Sequence, residues 1–120
     1  MKTILFVDDH QVLARLSCEI LKTHGYRAVS AYDGLDALHK FDHDEIDLVV
    51  TDYRMEGMNG AELAQCARAL KPELPVVYAS GRYSGDDLPG RVPDSVFVTK
   101  PYDLAALCSL CGRLASGVHH

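Results

Sequence analysis

Short apolar runs alternate along the chain with longer stretches in which apolar residues recur every third or fourth position. Residues 2–7 contain Ile4-Leu5-Phe6-Val7, too short for a helix, and stop on Asp8-Asp9, the pattern of a buried strand. Residues 11–24 carry Val12, Leu13, Leu16, Ile20 and Leu21 at helical spacing, with Gly25 as the stop just beyond. Residues 27–31 predict a second strand. Asp33 then caps a helix with Leu35, Leu38 and Phe41 on one face. The run Ile46-Asp47-Leu48-Val49-Val50-Thr51 is rich in β-branched residues, ends on Asp52 and gives way to a loop containing Gly57 and Gly60. A helix over 61–70 follows, with Leu63, Ala64, Ala67 and Leu70 inward and Pro72 past its end. Residues 75–79 and 95–99 predict two more strands, ending on Ser80-Gly81 and Lys100-Pro101. The last helix, 103–114, buries Leu104, Leu107, Cys108, Cys111 and Leu114. Between those last two strands, residues 82–94 hold Gly85, Gly90, Pro89 and Pro93, which makes a fourth helix there short or irregular.

Strands alternating with helices predict an α/β domain, a doubly wound parallel sheet with helices on both faces, because each right-handed crossover must cover an apolar face. Ligands of such sheets bind outside the carboxyl ends of the strands. Asp8, Asp9, Asp52, Ser80 and Lys100 all fall just after such ends. Each alone reads as a turn former or cap, Asp8 and Asp9 for the first helix included. Their coincidence on one edge reads as a site.

Composition narrows the partners. The 120 residues make one domain, large enough to bury a core without disulfides. A net charge of −5 and the lack of a basic face exclude binding driven by nucleic-acid phosphates. With no membrane-spanning run and no signal-peptide pattern, the expected location is the cytoplasm. Cys18 and Cys66 stand alone in helix-like segments. Cys108 and Cys111 form a single CxxC without a second pair, and beside Leu107, Leu110 and Leu114 they read as thiols packed like small hydrophobes. His119 and His120 are set aside as a tag remnant in a 117–120 tail, leaving residues 1–116 as the domain. Met1 directly before the first strand suggests a native N-terminus, of either a stand-alone domain or the first part of a longer protein.

Three clustered carboxylates repel one another, each pair by a few kcal/mol at about 4 Å and an effective dielectric near 20, so a cation belongs among them. An all-oxygen site with few protein ligands suits Mg²⁺, which keeps waters and binds phosphate oxygens. In such a site a carboxylate acts as a nucleophile toward phosphorus. Asp52 is the central candidate, with Lys100 and the Ser80 hydroxyl offsetting charge on the phosphoryl oxygens.

The motifs Val7-Asp8-Asp9, Thr51-Asp52-Tyr53-Arg54-Met55 with Gly60, Ala79-Ser80-Gly81 and Thr99-Lys100-Pro101-Tyr102 resemble, across essentially the whole chain, a receiver domain of the two-component response-regulator family. The resemblance implies a flavodoxin-like (βα)5 fold with strand order 2-1-3-4-5. It implies a phosphoacceptor switch, not a turnover enzyme, that promotes its own phosphorylation and dephosphorylation. Asp52 matches the phosphoacceptor, Asp9 a direct metal ligand, Asp8 a ligand acting largely through water, and the backbone carbonyl of Arg54 a third metal contact. Ser80 and Phe97 match the switch residues, Lys100 the family lysine, and Arg54 and Arg82 the positions that tune phosphoryl lifetime. The implied cofactor is Mg²⁺ and the implied partner a histidine kinase or phosphotransfer protein, with no nucleic acid or membrane and a monomer or weak dimer.

Two departures stand out. Glu56 occupies a position where the family commonly has proline, and the irregular fourth helix resembles receivers attached to hybrid histidine kinases. A phosphatase of the haloacid-dehalogenase type, the enzyme alternative, would place a second acid two residues after Asp52, where this chain has Arg54. A receiver-like docking module that signals without phosphate would not need the full set of acids, hydroxyl and lysine.

Overall fold

The five apolar runs form five parallel strands in the computed structural model, which describes residues 2–81 and 88–115. They are β1 (Thr3–Val7), β2 (Arg27–Ala31), β3 (Leu48–Asp52), β4 (Val76–Ser80) and β5 (Val96–Thr99), in the order β2-β1-β3-β4-β5. The helices are α1 (Gln11–Thr23), α2 (Gly34–His43), α3 (Gly60–Leu70) and α4 (Leu104–Ala115). None of them is long and apolar enough to cross a membrane. Successive strand residues point to opposite faces, and both faces are covered. Leu5, Val7, Val49, Val76 and Tyr78 pack with Ala37 of α2 and Leu63, Ala64 and Ala67 of α3. Ile4, Phe6, Leu48, Val50 and Val77 pack with Cys18 and Leu21 of α1 and Leu107, Cys108 and Cys111 of α4. Cys108 and Cys111 are buried free thiols; Cys66 is exposed.

The helices sit on the sheet by small residues as well as by Leu21, Leu63 and Leu107. α1 buries Ala14, Ser17, Cys18 and Leu21, while Val12 and Leu16 are 54% and 55% exposed. Each of those two precedes a buried position by two residues, about 200° around the helix. In α2 the expected inward Leu35 is 74% exposed. Gly34 faces inward instead, and a Cβ there would meet Met58 Sδ at 2.7 Å, so the helix packs against the β3–α3 loop. Leu70 is likewise 64% exposed, and the buried leucine of that region is Leu74, in the turn beyond α3. His10, not Asp8 or Asp9, caps α1, its Nδ1 accepting from the Leu13 amide at 3.2 Å. Asp33 caps α2 as expected. Asp103 precedes α4 and accepts from the Ala105 amide at 3.0 Å.

The stretch between β4 and β5 contains no helix over residues 88–95; residues 82–87 of the expected irregular helix lie outside the described residues. Leu88 and Val92 are buried, and side chains hold the backbone around them. Tyr53 Oη donates to the Pro89 carbonyl at 2.8 Å, Gln65 to the Gly90 carbonyl at 2.7 Å and Arg68 to the Pro93 carbonyl. Tyr78 Oη accepts from the Val92 amide at 3.1 Å. Irregular backbone is tolerated there because its polar groups find partners.

The loop from β3 to α3 is closed at its base. The Gly60 amide donates to the Tyr53 carbonyl at 2.8 Å, and Asn59 and Glu62 form a reciprocal capping box. Gly57, at φ +80°, makes the turn between them. A Cβ at Gly60 would lie 2.6 Å from the Asp52 carbonyl and 3.0 Å from Tyr53 Cα. Gly60→Ala is therefore expected to cost about 1–3 kcal/mol, read as a lower urea midpoint at unchanged slope. An unchanged midpoint would show that the loop shifts without cost.

Candidate functional site

Register decides which side chains meet at the carboxyl edge. Val7 is level with Thr51, Asp52 with Ala79, and Ser80 with Thr99. Asp8 and Asp52 therefore leave neighbouring strands side by side, and Ser80 and Lys100 follow on the next two. Lys100 is tied in by its amide, which donates to the Ser80 carbonyl at 3.0 Å. Asp8 is buried, its Oδ1 accepting from the His10 amide at 2.9 Å. Asp52 is half-buried and Asp9 exposed, and one carboxylate oxygen from each of the three acids lies within 4.8 Å of the others.

Lys100 enters this cluster from β5. Its Nζ is 2.9 Å from Asp52 Oδ1 and 3.6 Å from Asp8 Oδ2. Burial pushes the Asp52 carboxyl above its usual range, the Lys100 hydrogen bond and charge pull it back only in part, and Asp8 and Asp9 add to the rise. For Lys100, burial opposes the charge, yet the bond to Asp52 and the charges of Asp52 and Asp8 prevail and hold its pKa above the ordinary value. The shared acid–base contact thus keeps the ammonium charged while one acid remains hard to ionise. A hard divalent cation fits this donor set: three oxygen ligands, one lining the interior and one reaching solvent.

Among the sequence-derived candidates, Asp8, Asp9, Asp52 and Lys100 converge. Ser80 is buried at the end of β4, beside them in register. Arg54 and Glu56 are exposed in the loop after Asp52. Phe97 is half-buried against the α2–α3 side of the core and level with Tyr78. Arg82 lies outside the described residues. Tyr102 packs partly buried against the core on the α1–α4 side, and burial, then the charges of Asp8 and Asp52, push its phenol up to about 12. A groove of about 900 Å³ lies at the amino ends of the strands, lined by Lys2, Val76 and Val96 among others, and holds none of the candidates. Charge, not concavity, marks the site.

Comparison with known proteins agrees with this geometry. The family model described as response regulator receiver domain matches residues 4–111. Transcriptional regulatory protein GlrR of Escherichia coli K12 is 33% identical over 113 residues, 87% of this chain and 24% of GlrR. The autoinducer 1 sensor kinase/phosphatase LuxN of Vibrio campbellii is 33% identical over 114 residues, 92% of this chain and 13% of LuxN. The chain thus spans a quarter or less of these relatives. Among solved structures, response regulator TrrA of Thermotoga maritima superposes with a TM-score of 0.83 at 33% identity, covering 95% of this chain and 99% of that one. A receiver protein of Sinorhizobium medicae gives 0.88 at 30%, covering 98% and 96%.

Burial of Asp52, opposed by Lys100, sets a pH dependence in the metal-free protein. Folded Asp52 keeps its proton to a higher pH than the ordinary 3.8. Stability is therefore expected to fall as pH rises from that value through the folded midpoint, because the folded state binds more protons in that window. Lys100→Met removes the ammonium that opposes the shift, so the Asp52 midpoint should climb further in a carbon-detected NMR titration. An equal or lower midpoint in the variant would contradict the assignment.

Proposed function

This chain belongs to the response regulator receiver domain family, and from that premise we propose that Asp52 is its phosphoacceptor. Receiver domains of this family serve two-component response regulators and hybrid sensor kinases as phosphoacceptor signalling units. The observation that carries the assignment is the Lys100 ammonium 2.9 Å from Asp52 Oδ1, in a cluster shared with Asp8 and Asp9. Of the two acids paired with the lysine, Asp52 is the nearer, at 2.9 Å against 3.6 Å for Asp8, and the less buried.

In this reading Asp8, Asp9, Asp52 and the Arg54 carbonyl hold Mg²⁺. The bound ion supplies positive charge against the phosphoryl oxygens and the acids. The solved structure of TrrA is of a complex with Mg²⁺–BeF, which supports a magnesium-dependent site in a relative of this similarity. An Asp52 carboxylate oxygen attacks the phosphorus of a phosphohistidine on a histidine kinase or phosphotransfer protein. The O–P bond forms, the P–N bond breaks, and its electron pair stays on the departing imidazole. Lys100 moves from the carboxylate to a phosphoryl oxygen, and the Ser80 hydroxyl donates to another. Water later attacks the same phosphorus, the Asp52 O–P bond breaks with its electron pair returning to the carboxylate, and inorganic phosphate leaves, so the domain assists its own dephosphorylation.

The signal then passes through Ser80 and Phe97. Phe97 stands level with Tyr78, whose hydroxyl holds the Val92 amide, so motion at the end of β4 reaches the 88–95 stretch directly. That stretch contains no helix, which favours a monomer or weak dimer. The net charge of −5 argues against direct contact with nucleic acid. A kinase-fed phosphorelay places the domain in the cytoplasm.

With Mg²⁺ and acetyl phosphate, intact-mass spectrometry should show one added phosphoryl group per chain and none in Asp52→Asn. Asp9→Asn should need about tenfold more Mg²⁺ for the same rate. Labelling of Asp52→Asn at the wild-type rate would overturn the assignment, and many turnovers per chain would point to a phosphatase.

A further inference from the structure

A second group of ligand-type side chains lies outside this site, on the exposed face of α2. His39 and His43 stand four residues apart, about one turn, with ring centroids 4.3 Å apart and planes tilted by 39°. Both side chains are exposed. His43 Nδ1 lies 2.8 Å from the His39 carbonyl oxygen. A carbonyl oxygen only accepts, so Nδ1 carries the proton and the neutral ring presents its lone pair at Nε2. Histidines that ligate metals are held this way, donating the other ring nitrogen to a carbonyl that orients the ring.

His24 makes the same contact, its Nδ1 lying 2.9 Å from the Ile20 carbonyl. The residue one turn back is there an isoleucine, so a second imidazole is what sets α2 apart. The cation next in sequence is engaged elsewhere: Lys40 Nζ lies 3.5 Å from Asp36, donates to the Ser30 carbonyl and sits 5.5 Å from the centre of the Tyr32 ring. His43 is the last residue of α2 and is flanked in sequence by Asp42 and Asp44, where the helix end carries partial negative charge. Two nitrogens bound at about 2.0–2.1 Å to one ion are at most about 4 Å apart, a spacing that rings so placed reach by small side-chain rotations.

We propose that His39 and His43 form a two-imidazole chelate for a borderline divalent transition ion such as Zn²⁺ or Ni²⁺, clamping the last turn of α2. Imidazole suits these ions and not Mg²⁺, so this site and the acid cluster select different metals. Among the described residues, the three acids are the sole group of three or more potential ligands drawn together. The α2 chelate therefore leaves its remaining coordination positions to water or an exchangeable ligand.

The test is calorimetric titration of the full chain with Zn²⁺ in excess Mg²⁺, alongside His39→Ala, His43→Ala and His24→Ala. Each α2 variant should weaken binding by about tenfold or more, and His24→Ala should leave it unchanged. Ni²⁺ should broaden amide NMR signals centred on residues 38–44. Equal Zn²⁺ affinity in any α2 variant and the parent would overturn the chelate. So would broadening centred on Cys66, on the acid cluster or on His119 and His120. All three histidines are exposed, and thermal melts of the variants check that the fold is kept.

Discussion

Too much negative charge on one edge of a rigid sheet is the constraint from which the rest follows. Three carboxylates meet there against one ammonium. Strand register prevents them from moving apart, since Asp8 and Asp52 extend directly from paired strands buried on both faces. At about 4 Å each carboxylate pair costs a few kcal/mol even at an effective dielectric near 20. Lys100 relieves part of that cost, while burial, and after it the charges of Asp8 and Asp9, still hold the Asp52 carboxyl above its usual range. A site strained in this way has a standing affinity for anything that brings positive charge, and it responds when charge arrives or leaves.

How that response leaves the site depends on what the neighbouring residues touch. Tyr53 follows Asp52 in the chain, and its hydroxyl holds the Pro89 carbonyl. Its ring meets Tyr78 edge-on at 6.3 Å, and Tyr78 in turn holds the Val92 amide. Two phenols thus bind the end of β3 and the middle of β4 to the connection leading into β5. A regular helix satisfies its own backbone and depends little on the sheet for it. Residues 88–95 bond partly among themselves and partly to Tyr53, Gln65, Arg68 and Tyr78, so displacement of the strands is felt in this segment.

The strands and the residues at their ends were legible because short continuous apolar runs and an abrupt apolar-to-polar boundary are local signals. Helix faces were less so. Val12, Leu16, Leu35 and Leu70 are large and correctly spaced, yet exposed; the surfaces against the sheet are lined by Ala14, Ser17, Gly34, Ala37, Ala64 and Ala67. Hydrophobic size suggests the inward face only when the helix stands far enough from the sheet to need it. Where close approach governs, small residues carry the contact and large ones are left outside. His10 as a cap escaped for a different reason: the residue type does not announce the role, which arises from a contact made only after folding.

Ligand chemistry also separates the acid cluster at the sheet edge from the imidazole pair on α2. At the sheet edge the donors are oxygens, three of them from carboxylates drawn together at the strand ends, which favours a hard ion that keeps its own waters. On α2 the donors are imidazoles on exposed side chains, one of them oriented by a backbone carbonyl, which favours a softer ion that exchanges water readily. The first site draws its affinity from repulsion that the fold imposes. The second has no such repulsion to relieve, so its affinity must come from two ligands presented together on one helical turn. Occupancy of the sheet-edge site is therefore coupled to the state of the whole sheet, whereas occupancy of the α2 pair is coupled to the order of a single helix end.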